Sequence, residues 1–278
     1  MTEGKANVRA PKEQELVAES KIDGDEKITE EEIKAGTKKV DAAPRVAVPE
    51  GWKPKTDLGR AVYEGKITDI YEIFKEGTRI AESEIVDVLI PDLENEIIMI
   101  GGSSGKGGGK RRTVSRRTTR MHKSGRRYRV SVMIVVGNSN GYLGLGIASG
   151  PPNMHREVVK KALHQAKLSI IPITRGCGSW ECGCGTPHSI PVRTNGKVGS
   201  VYVDILPAPK GVGLCVSNEI KKIMRLAGIK DVWIKTKGHT QTRANFARAV
   251  FNALKEINTL KINDEQRKKI GAAIGKVD

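Results

Sequence analysis

The stretch of sequence that decides the fold is residues 128–150, YRVSVMIVVGNSNGYLGLGIASG. Its first nine residues are rich in β-branched side chains, and the turn signal GNSNG separates them from a second apolar run. Extended runs on either side of an Asn- and Gly-rich turn are typical of an antiparallel hairpin. We therefore predict two paired strands in this stretch.

A basic amphipathic helix is predicted directly after the hairpin, with Asn153 as its N-cap. Its apolar stripe consists of Val158, Val159, Ala162, Leu163 and Ala166. The cations outside the stripe suit either phosphate contact or a solvated helix face; they are Arg156, Lys160, Lys161 and Lys167. A strand in SIIPI, residues 169–173, closes the unit. A hairpin packed under a basic helix is the kind of α+β module that reads duplex RNA by shape.

A second unit of strands and helices follows. Residues 188–194 and 199–209 are predicted to form another hairpin around a turn at Asn195–Gly196. Residues 217–228 predict a helix with Ser217 or Asn218 as its cap and Gly228 as its stop. The remaining segments predict a strand and a final helix, at residues 231–238 and 242–257.

The region before the basic segment is less regular. Residues 1–50 contain no Trp, Tyr or Phe and are rich in Glu, Lys and Ala, which predicts a largely disordered segment with a short helix near residues 29–34. Residues 60–76 are amphipathic and predict one helix, whereas the apolar residues 84–100 favour β structure.

Charge divides the chain in two. Residues 1–100 hold 15 Lys and Arg against 23 Asp and Glu, a net −8, whereas residues 101–278 hold 33 against 9, a net +24. Such a polycation favours nucleic acid over an anionic membrane surface, and no apolar run approaches the roughly 20 residues that span a bilayer. With no signal-peptide core at its start, the chain is expected to be cytoplasmic, with reduced thiols. The acidic part suits either contact with a protein neighbour or solubility before assembly.

The basic segment opens with GGSSGKGGGKRR, residues 101–112. Neither Lys106 nor Lys110 stands in the Gly-x4-Gly-Lys-Ser/Thr spacing of a phosphate-binding loop, so that motif is excluded. A solvated linker and an arm that orders on a polyanion are the two alternatives, and the charge favours the arm. No acidic residue interrupts its eleven cations: Lys106, Lys110, Arg111, Arg112, Arg116, Arg117, Arg120, Lys123, Arg126, Arg127 and Arg129.

The segment RGCGSWECGCGTPH holds three cysteines and a histidine. Zinc prefers four S or N ligands, which Cys177, Cys182 and Cys184 would supply together with either His188 or Cys215. The cysteine separations of five and two differ from the paired two-residue gap of ordinary zinc knuckles, and a set of loop thiols without metal is the third alternative. We therefore assign no metal ligand and expect no cofactor, with zinc left open.

No catalytic constellation is recognised in the sequence. The Pro-Cys-x-x-Cys element of zinc deaminases is missing, and no set of nucleophile, base and orienting group stands out. The protein is therefore expected not to be an enzyme.

Several long segments in fixed order closely resemble the small-subunit ribosomal protein number five of archaea, called number two in eukaryotes. They are SGRRYRVSVMIVVGNSNGYLGLGIASG, KKALHQAKLSIIPI, RGCGSWECGCGTPHSIPV, GSVYVDILPAPKGVGL and LAGIKDVWIKTKG. The resemblance implies an α+β fold with a double-stranded-RNA-binding-like domain at 123–190. A small α/β domain of the ribosomal protein five C-terminal type, with a left-handed crossover, follows at 191–278. The preceding parts are a partly disordered acidic extension at 1–57, a family segment at 58–100 and the Gly-rich basic arm at 101–122.

The resemblance also implies a role in the small ribosomal subunit. Family members bind rRNA near the decoding region and the side where mRNA enters, contact ribosomal protein number four and support translational accuracy. The residues expected at the RNA, from charge and resemblance together, are Lys110, Arg111, Arg112, Arg116, Arg117, Arg120, Lys123, Ser124, Gly125, Arg126, Arg127, Arg129, Asn138 and Asn140. The residues expected at the protein neighbour are Lys210, Gly211, Gly213, Lys221 and Lys222.

Two alternatives stay open beside this role. A free-standing chaperone or regulator that binds duplex RNA would need the same basic surfaces. Four aromatic side chains suit either base stacking or packing, and packing is the commoner use at such positions; they are Trp180, Trp233, Tyr128 and Tyr142.

Overall fold

The computed structural model describes residues 52–104 and 110–275, without the side chains of 103–111. Its helices are α1 (Asp57–Tyr63), α2 (Ile70–Glu76), α3 (Ser83–Leu89), α4 (His155–Leu168), α5 (Asn218–Leu226), α6 (Arg243–Ile257) and α7 (Asp264–Ile270). Its strands are β1 (Glu94–Ile98), β2 (Gly101–Ser104), β3 (Lys110–Thr113), β4 (Arg116–His122), β5 (Gly125–Gly137), β6 (Tyr142–Gly150), β7 (Ile171–Pro172), β8 (Thr174–Arg175), β9 (Thr194–Val198), β10 (Val201–Pro207), β11 (Leu214–Cys215), β12 (Val232–Lys237) and β13 (Ala273–Ile274).

The larger sheet has the order β1-β5-β6-β7, and β4 also pairs with β5. The predicted hairpin is confirmed, because β5 and β6 pair from Val130 opposite Gly150 to Gly137 opposite Leu143. The tight turn between them places Ser139 and Gly141 at positive φ, 54° and 98°.

Strand β5 is buried on both faces along its second half. Val132, Ile134 and their alternate neighbours pack against α4, while Met133 and Val135 face the main core. The α4 stripe is confirmed, with Val158, Ala162 and Ala166 fully buried. Its predicted cap is wrong, because a 3₁₀ turn at Pro152–Met154 precedes the helix and Met154 occupies the N-cap position.

The smaller sheet has the order β11-β12-β10-β9, and α5 and α6 contribute to the core beside it. Ser217 occupies the N-cap position of α5 as predicted, although its side chain makes no capping hydrogen bond. Strand β12 and helix α6 lie where the sequence pattern indicates. The turn predicted at Asn195–Gly196 is wrong, because both residues lie inside β9. A Cβ on Gly196 would stand 2.1 Å from the carbonyl oxygen of Ala249, so this glycine permits close approach of α6 rather than a turn.

In the region before β1, the structure differs from the sequence-based prediction at two places. Residues 60–76 do not form one helix, because α1 ends at Tyr63 and α2 begins at Ile70. Residues 84–89, expected to be extended, lie in α3, which buries Ile85 and Val86. Lys167 of α4 pairs with Asp87 of α3 at 2.6 Å, and His164 contacts the Ser83 hydroxyl at 2.9 Å. This region therefore folds onto α4.

Where the structure describes the basic segment, the segment forms paired strands. β2 pairs with β3, and β4 pairs with the first half of β5 over seven residue pairs. The expectation of an arm that orders only on RNA is therefore wrong for residues 110–122, because the chain supplies strand partners itself.

The main core combines Ile98, Met133 and Leu143 from the first half with Val203 and Val250 from the second. The segment boundaries expected at 57, 100, 122 and 190 stay predictions, as does the hand of the β11-α5-β12 crossover. Helix α7, which the sequence analysis missed, follows α6, and β13 then pairs with β8. Residues 1–51, with their expected disorder and short helix, lie outside the described residues.

Within 52–104 and 110–275, no helix is both long enough and apolar enough to cross a membrane.

Candidate nucleic-acid interface

The first half of β5 and the whole of β4 form a second hairpin, which we call the arginine hairpin (residues 116–129). Its register pairs Arg120 with Arg127 and His122 with Gly125, which leaves a two-residue loop of Lys123 and Ser124. Gly125 has a φ of 111°, a conformation that L side chains rarely adopt. All the cations of this hairpin are exposed.

One face of the arginine hairpin carries four guanidinium groups. Side chains alternate along a strand and directly paired residues share a face. Arg116 and Arg120 of β4 therefore lie on the same face as Arg127 and Arg129 of β5. Like charges directly opposite each other, such as Arg120 and Arg127, destabilise a free hairpin. The arrangement therefore favours a partner that supplies negative charge.

The opposite face is mixed in character. The Arg117 guanidinium lies 3.8 Å from the centre of the Tyr128 ring, a cation–π contact. Arg126 shares this face with Met121, whose side chain is 72% exposed. At the loop, Arg127 donates a hydrogen bond to the Ser124 hydroxyl at 3.0 Å.

Among the described residues, carboxylates do not neutralise these cations. No Asp or Glu occurs between Glu96 and Glu157 in the sequence. In the part of the chain that the structure describes, no cation of the arginine hairpin forms an ion pair with a carboxylate. Arg112, just before the hairpin, is different, because it lies 3.8 Å from Glu219.

The base of the basic segment is fixed by buried and half-buried polar groups. Glu219 accepts a hydrogen bond from the backbone N–H of Met99 at 2.9 Å. Arg243 donates to the carbonyl oxygens of Met99 and Gly101 at 2.9 and 2.8 Å. A groove of about 1050 Å³ runs beside this anchor, and its lining includes Arg112, Arg116, Arg117 and Arg243.

Asn138 and Asn140, expected at the RNA, have partners within the fold. The Asn138 side-chain oxygen accepts hydrogen bonds from the backbone N–H groups of Asn140 and Tyr142, at 2.9 and 3.0 Å. The Asn140 oxygen accepts one from buried Arg175 at 2.7 Å. Both asparagines are half-buried. The structure therefore gives them a role in shaping the turn, and contact with RNA stays a prediction.

The residues expected at a protein neighbour lie together on the loop before β11 and on α5. Lys210 and Gly211 are exposed, whereas Lys221 and Lys222 are half-buried. Lys222 donates to the carbonyl oxygen of Ile97 at 2.9 Å and lies 3.6 Å from Glu219. Part of its hydrogen-bonding capacity is therefore used within the chain rather than offered to a neighbour.

Aromatic side chains divide between packing and exposure. Tyr142 is buried and stacks near Phe74, with ring centres 6.2 Å apart, and Trp233 and Tyr128 are half-buried. Trp180 is 90% exposed, so the packing interpretation is wrong for this residue.

The cysteine loop brings four possible metal ligands together. The ligand atoms of Cys177, Cys182, Cys184 and His188 all lie within 4.8 Å of one another. Burial raises the pKa of Cys177 to about 11, whereas a hydrogen bond with the Thr186 side chain lowers the pKa of Cys184 to about 6. Cys215 is exposed on β11 and is not part of this group. The alternative with Cys215 as a ligand is therefore wrong.

Sequence reasoning found the cations but missed their scaffold. The signal for the arginine hairpin was present as the dipeptide Ser124–Gly125 between two Thr- and Arg-rich runs. A dense run of cations is typical of an extended arm, whereas this dipeptide predicts a turn between two strands. The long-range partners Glu219 and Arg243, which hold the base of the basic segment, carry no local signal.

The α+β fold and the arginine hairpin together define the class of this protein: an α+β protein with an exposed basic surface that can bind a polyanion. Residues 110–174 match the family described as Ribosomal protein S5, N-terminal domain, and residues 196–268 match Ribosomal protein S5, C-terminal domain.

Curated relatives agree over most of the chain, under the name small ribosomal subunit protein uS5. The protein of Methanocaldococcus jannaschii is 48% identical over 226 residues, which is 81% of this chain and 96% of the relative. That of Methanothermobacter thermautotrophicus is 47% identical over 222 residues, covering 80% and 95%. That of Methanococcus maripaludis strain S2 is 46% identical over 228 residues, covering 82% and 94%.

The chain belongs to the ribosomal protein S5 family, as the resemblance indicated. Membership makes it a structural, non-enzymatic constituent of the small subunit of the cytoplasmic ribosome, associated with rRNA. The expected fold class is confirmed by the two matched domains.

Proposed function

We propose that the arginine hairpin is the main rRNA contact of this chain and that it binds phosphates rather than bases. The observation that carries this proposal is the face of Arg116, Arg120, Arg127 and Arg129, which has no carboxylate to neutralise it among the described residues. Each guanidinium that meets a phosphate releases condensed counterions, which favours binding at low salt. Guanidinium groups also form paired hydrogen bonds to phosphate oxygens.

The hairpin's geometry supports phosphate recognition along an RNA backbone. On this face of the two-stranded ribbon, Arg120 and Arg127 are directly opposite, about 5 Å apart at the backbone. Arg127 and Arg129 are about 7 Å apart along β5, and Arg116 and Arg120 about 14 Å apart along β4. Lys123 and Ser124 at the loop add a cation and a hydroxyl at the tip. The remaining expected contacts, from Lys110 to Arg112 and at Asn138 and Asn140, are proposed as secondary.

We infer the finer location from the family resemblance. It supports a position near the decoding region, on the side where mRNA enters, and a role in translational accuracy. It also supports contact with ribosomal protein number four through Lys210, Gly211, Gly213, Lys221 and Lys222. The exposure of Lys210 and Gly211 is compatible with that contact.

Sedimentation with small subunits tests the proposed rRNA contact. The full chain, added to subunits that lack it, is expected to co-migrate with them in high salt on a sucrose gradient. A variant in which Arg116, Arg120, Arg127 and Arg129 are all changed to Gln is expected to move to the top fractions. A matched variant changes four exposed lysines to Gln and is expected to stay bound; these are Lys237, Lys255, Lys261 and Lys268.

Equal loss of both variants would contradict a role specific to the hairpin. A free pool of the unchanged chain at the top of the gradient would favour the free-standing RNA chaperone or regulator instead.

A further inference from the structure

The ends of the cysteine loop are clamped by backbone hydrogen bonds. Gly176 and Ser189 exchange both N–H to carbonyl bonds, at 2.9 and 3.0 Å. Cys177 and His188 are the next residues inward from this pair, so the clamp places them side by side. The N–H of Cys177 donates to the carbonyl oxygen of Ile270 at 2.8 Å, which ties the loop to the end of α7.

The remaining cysteines turn back toward this clamp. The N–H of Cys182 donates to the Ser179 carbonyl at 3.3 Å, and the Cys177 thiol donates to the Cys182 carbonyl at 3.1 Å. The Cys182 sulfur lies 3.9 Å from Nε2 of His188. Three sulfurs and one ring nitrogen therefore converge on one point.

These distances suit a tetrahedral zinc ion. With Zn–S near 2.3 Å and Zn–N near 2.0–2.1 Å, ligand atoms at the corners of a tetrahedron are about 3.5–3.8 Å apart. The observed upper limit is 4.8 Å, so the four groups need to close by no more than about 1 Å to reach that spacing. Three soft thiolates and an imidazole form a donor set that favours zinc over hard cations.

The histidine is oriented as a metal ligand. Its Nδ1 lies 2.9 Å from Oδ2 of Asp231, and both side chains are about 5% exposed. An ionised carboxylate only accepts, so Nδ1 carries the proton and the lone pair of Nε2 points at the sulfurs. A carboxylate that holds the far nitrogen of a histidine is the usual outer partner of a zinc ligand.

Asp231 also connects this site to another loop. Its Oδ1 accepts hydrogen bonds from the backbone N–H groups of Gly211 and Gly213, at 3.1 and 2.8 Å. The carbonyl of His188 accepts from the N–H groups of Lys230 and Asp231, at 2.9 and 3.1 Å. The cysteine loop, the start of β12 and the loop at 210–213 are therefore held by one network.

A thiol hydrolase would use the same three residue types as Cys182, His188 and Asp231. Here two further sulfurs, from Cys177 and Cys184, lie within 4.8 Å of the Cys182 sulfur and the His188 nitrogen. They occupy the space that a substrate carbonyl would need beside the nucleophile. The arrangement therefore favours coordination over catalysis.

We propose that Cys177, Cys182, Cys184 and His188 bind one structural zinc ion, and that Asp231 transmits the rigidity of that site to the loop at 210–213. The site closes residues 176–189 into a fixed loop on which α7 docks.

Metal content and thiol reactivity of the full-length chain test the proposal together. After gel filtration in zinc-free buffer, the chain is expected to retain about one zinc per molecule. A thiol reagent is then expected to label Cys215 alone, and all four cysteines after a strong chelator removes the metal. Replacement by cobalt(II) is expected to give the visible bands of a tetrahedral thiolate site.

Variants separate a built site from adventitious metal. Cys182→Ser and Cys184→Ser are expected to lose most of the zinc, whereas Cys215→Ser keeps it, because Cys215 lies outside the cluster. Asp231→Asn keeps the ligands but weakens zinc binding by about 10- to 100-fold. Since Cys182→Ser could also unfold the loop, the unchanged chain decides the matter. Less than about half an equivalent of zinc with four reactive thiols would overturn the proposal.

Discussion

The two halves of β5 belong to one continuous strand but have opposite surroundings. From Val130 to Gly137 nearly every residue is buried between α4 and the main core, whereas from Gly125 to Arg129 the side chains are exposed or half-buried. The inner half is β-branched and apolar; the outer half carries three arginines in five residues. The inner half pairs with β1 and β6, whereas residues 125–129 pair with β4 alone. Strand partners and side-chain chemistry together therefore decide which half forms core and which half is left to meet a partner.

The largest effect is expected from removing charge on the outer half. The variant with Arg116, Arg120, Arg127 and Arg129 changed to Gln is expected to flatten the slope of log affinity against log salt by about 3, since each phosphate contact contributes about 0.7–0.9. Between 1 M and 0.1 M salt, a slope change of about 3 amounts to about a thousandfold in affinity. The variant is therefore expected to lose about 4 kcal/mol of binding free energy at 0.1 M salt. Filter binding of a small-subunit rRNA transcript across a salt series measures it. An unchanged slope would remove the hairpin from the mechanism.

A change in the inner half is expected to act on stability alone. Ile134→Ala removes a side chain that is 2% exposed and packs in the α4 cluster. The free energy of unfolding is expected to fall by about 2–5 kcal/mol, because burial is lost and a cavity remains. Urea denaturation measures this, and Thr119→Ala on the exposed part of β4 serves as the control. If folded Ile134→Ala lost much of its RNA affinity, the inner half of β5 would contribute to binding as well as to stability, against this prediction.

The residue paired with Ile134 gives a smaller effect of opposite cause. A Cβ on Gly146 would stand 2.1 Å from the carbonyl oxygen of Ala162, so Gly146→Ala forces α4 away from β6. Overpacking of this kind costs about 1–3 kcal/mol. Thermal unfolding beside the exposed control Ser149→Ala tests it, and equal melting temperatures would show that α4 adapts freely.

The smallest effect concerns the mixed face of the hairpin. Tyr128→Leu removes the ring under Arg117 and is expected to cost about 0.5–1 kcal/mol of stability, typical of an exposed cation–π contact. Denaturation of Tyr128→Leu, Arg117→Gln and the double variant isolates the pair. Additive losses would show that the two side chains do not interact.

Local patterns predicted much of the fold, and long-range contacts account for most of the errors. The hairpin of β5 and β6, the α4 stripe, α5, β12 and α6 all follow from hydrophobic period and capping residues. Residues 83–89 have β-branched side chains but form a helix, since Ile85 and Val86 gain burial among the neighbouring helices.

The candidate site divides in the same way. Its cations are visible as composition, whereas their pairing across β4 and β5 depends on register. The ligand set could not be chosen from spacing, because His188 is selected by the clamp at Gly176 and Ser189 and by Asp231, 43 residues away in sequence. No local pattern contains such a contact.

The length of β5 has a mechanical consequence. Five residues separate Val130 from the loop, so at about 3.4 Å per residue the tip of the ribbon reaches about 17 Å beyond the last buried position. A phosphate held at the tip would lie at that distance from the core, whereas one held by Arg116 would lie beside the groove that Arg243 of α6 helps to line. Shortening the ribbon while keeping every arginine would therefore change the distance between its tip and the core without changing its charge.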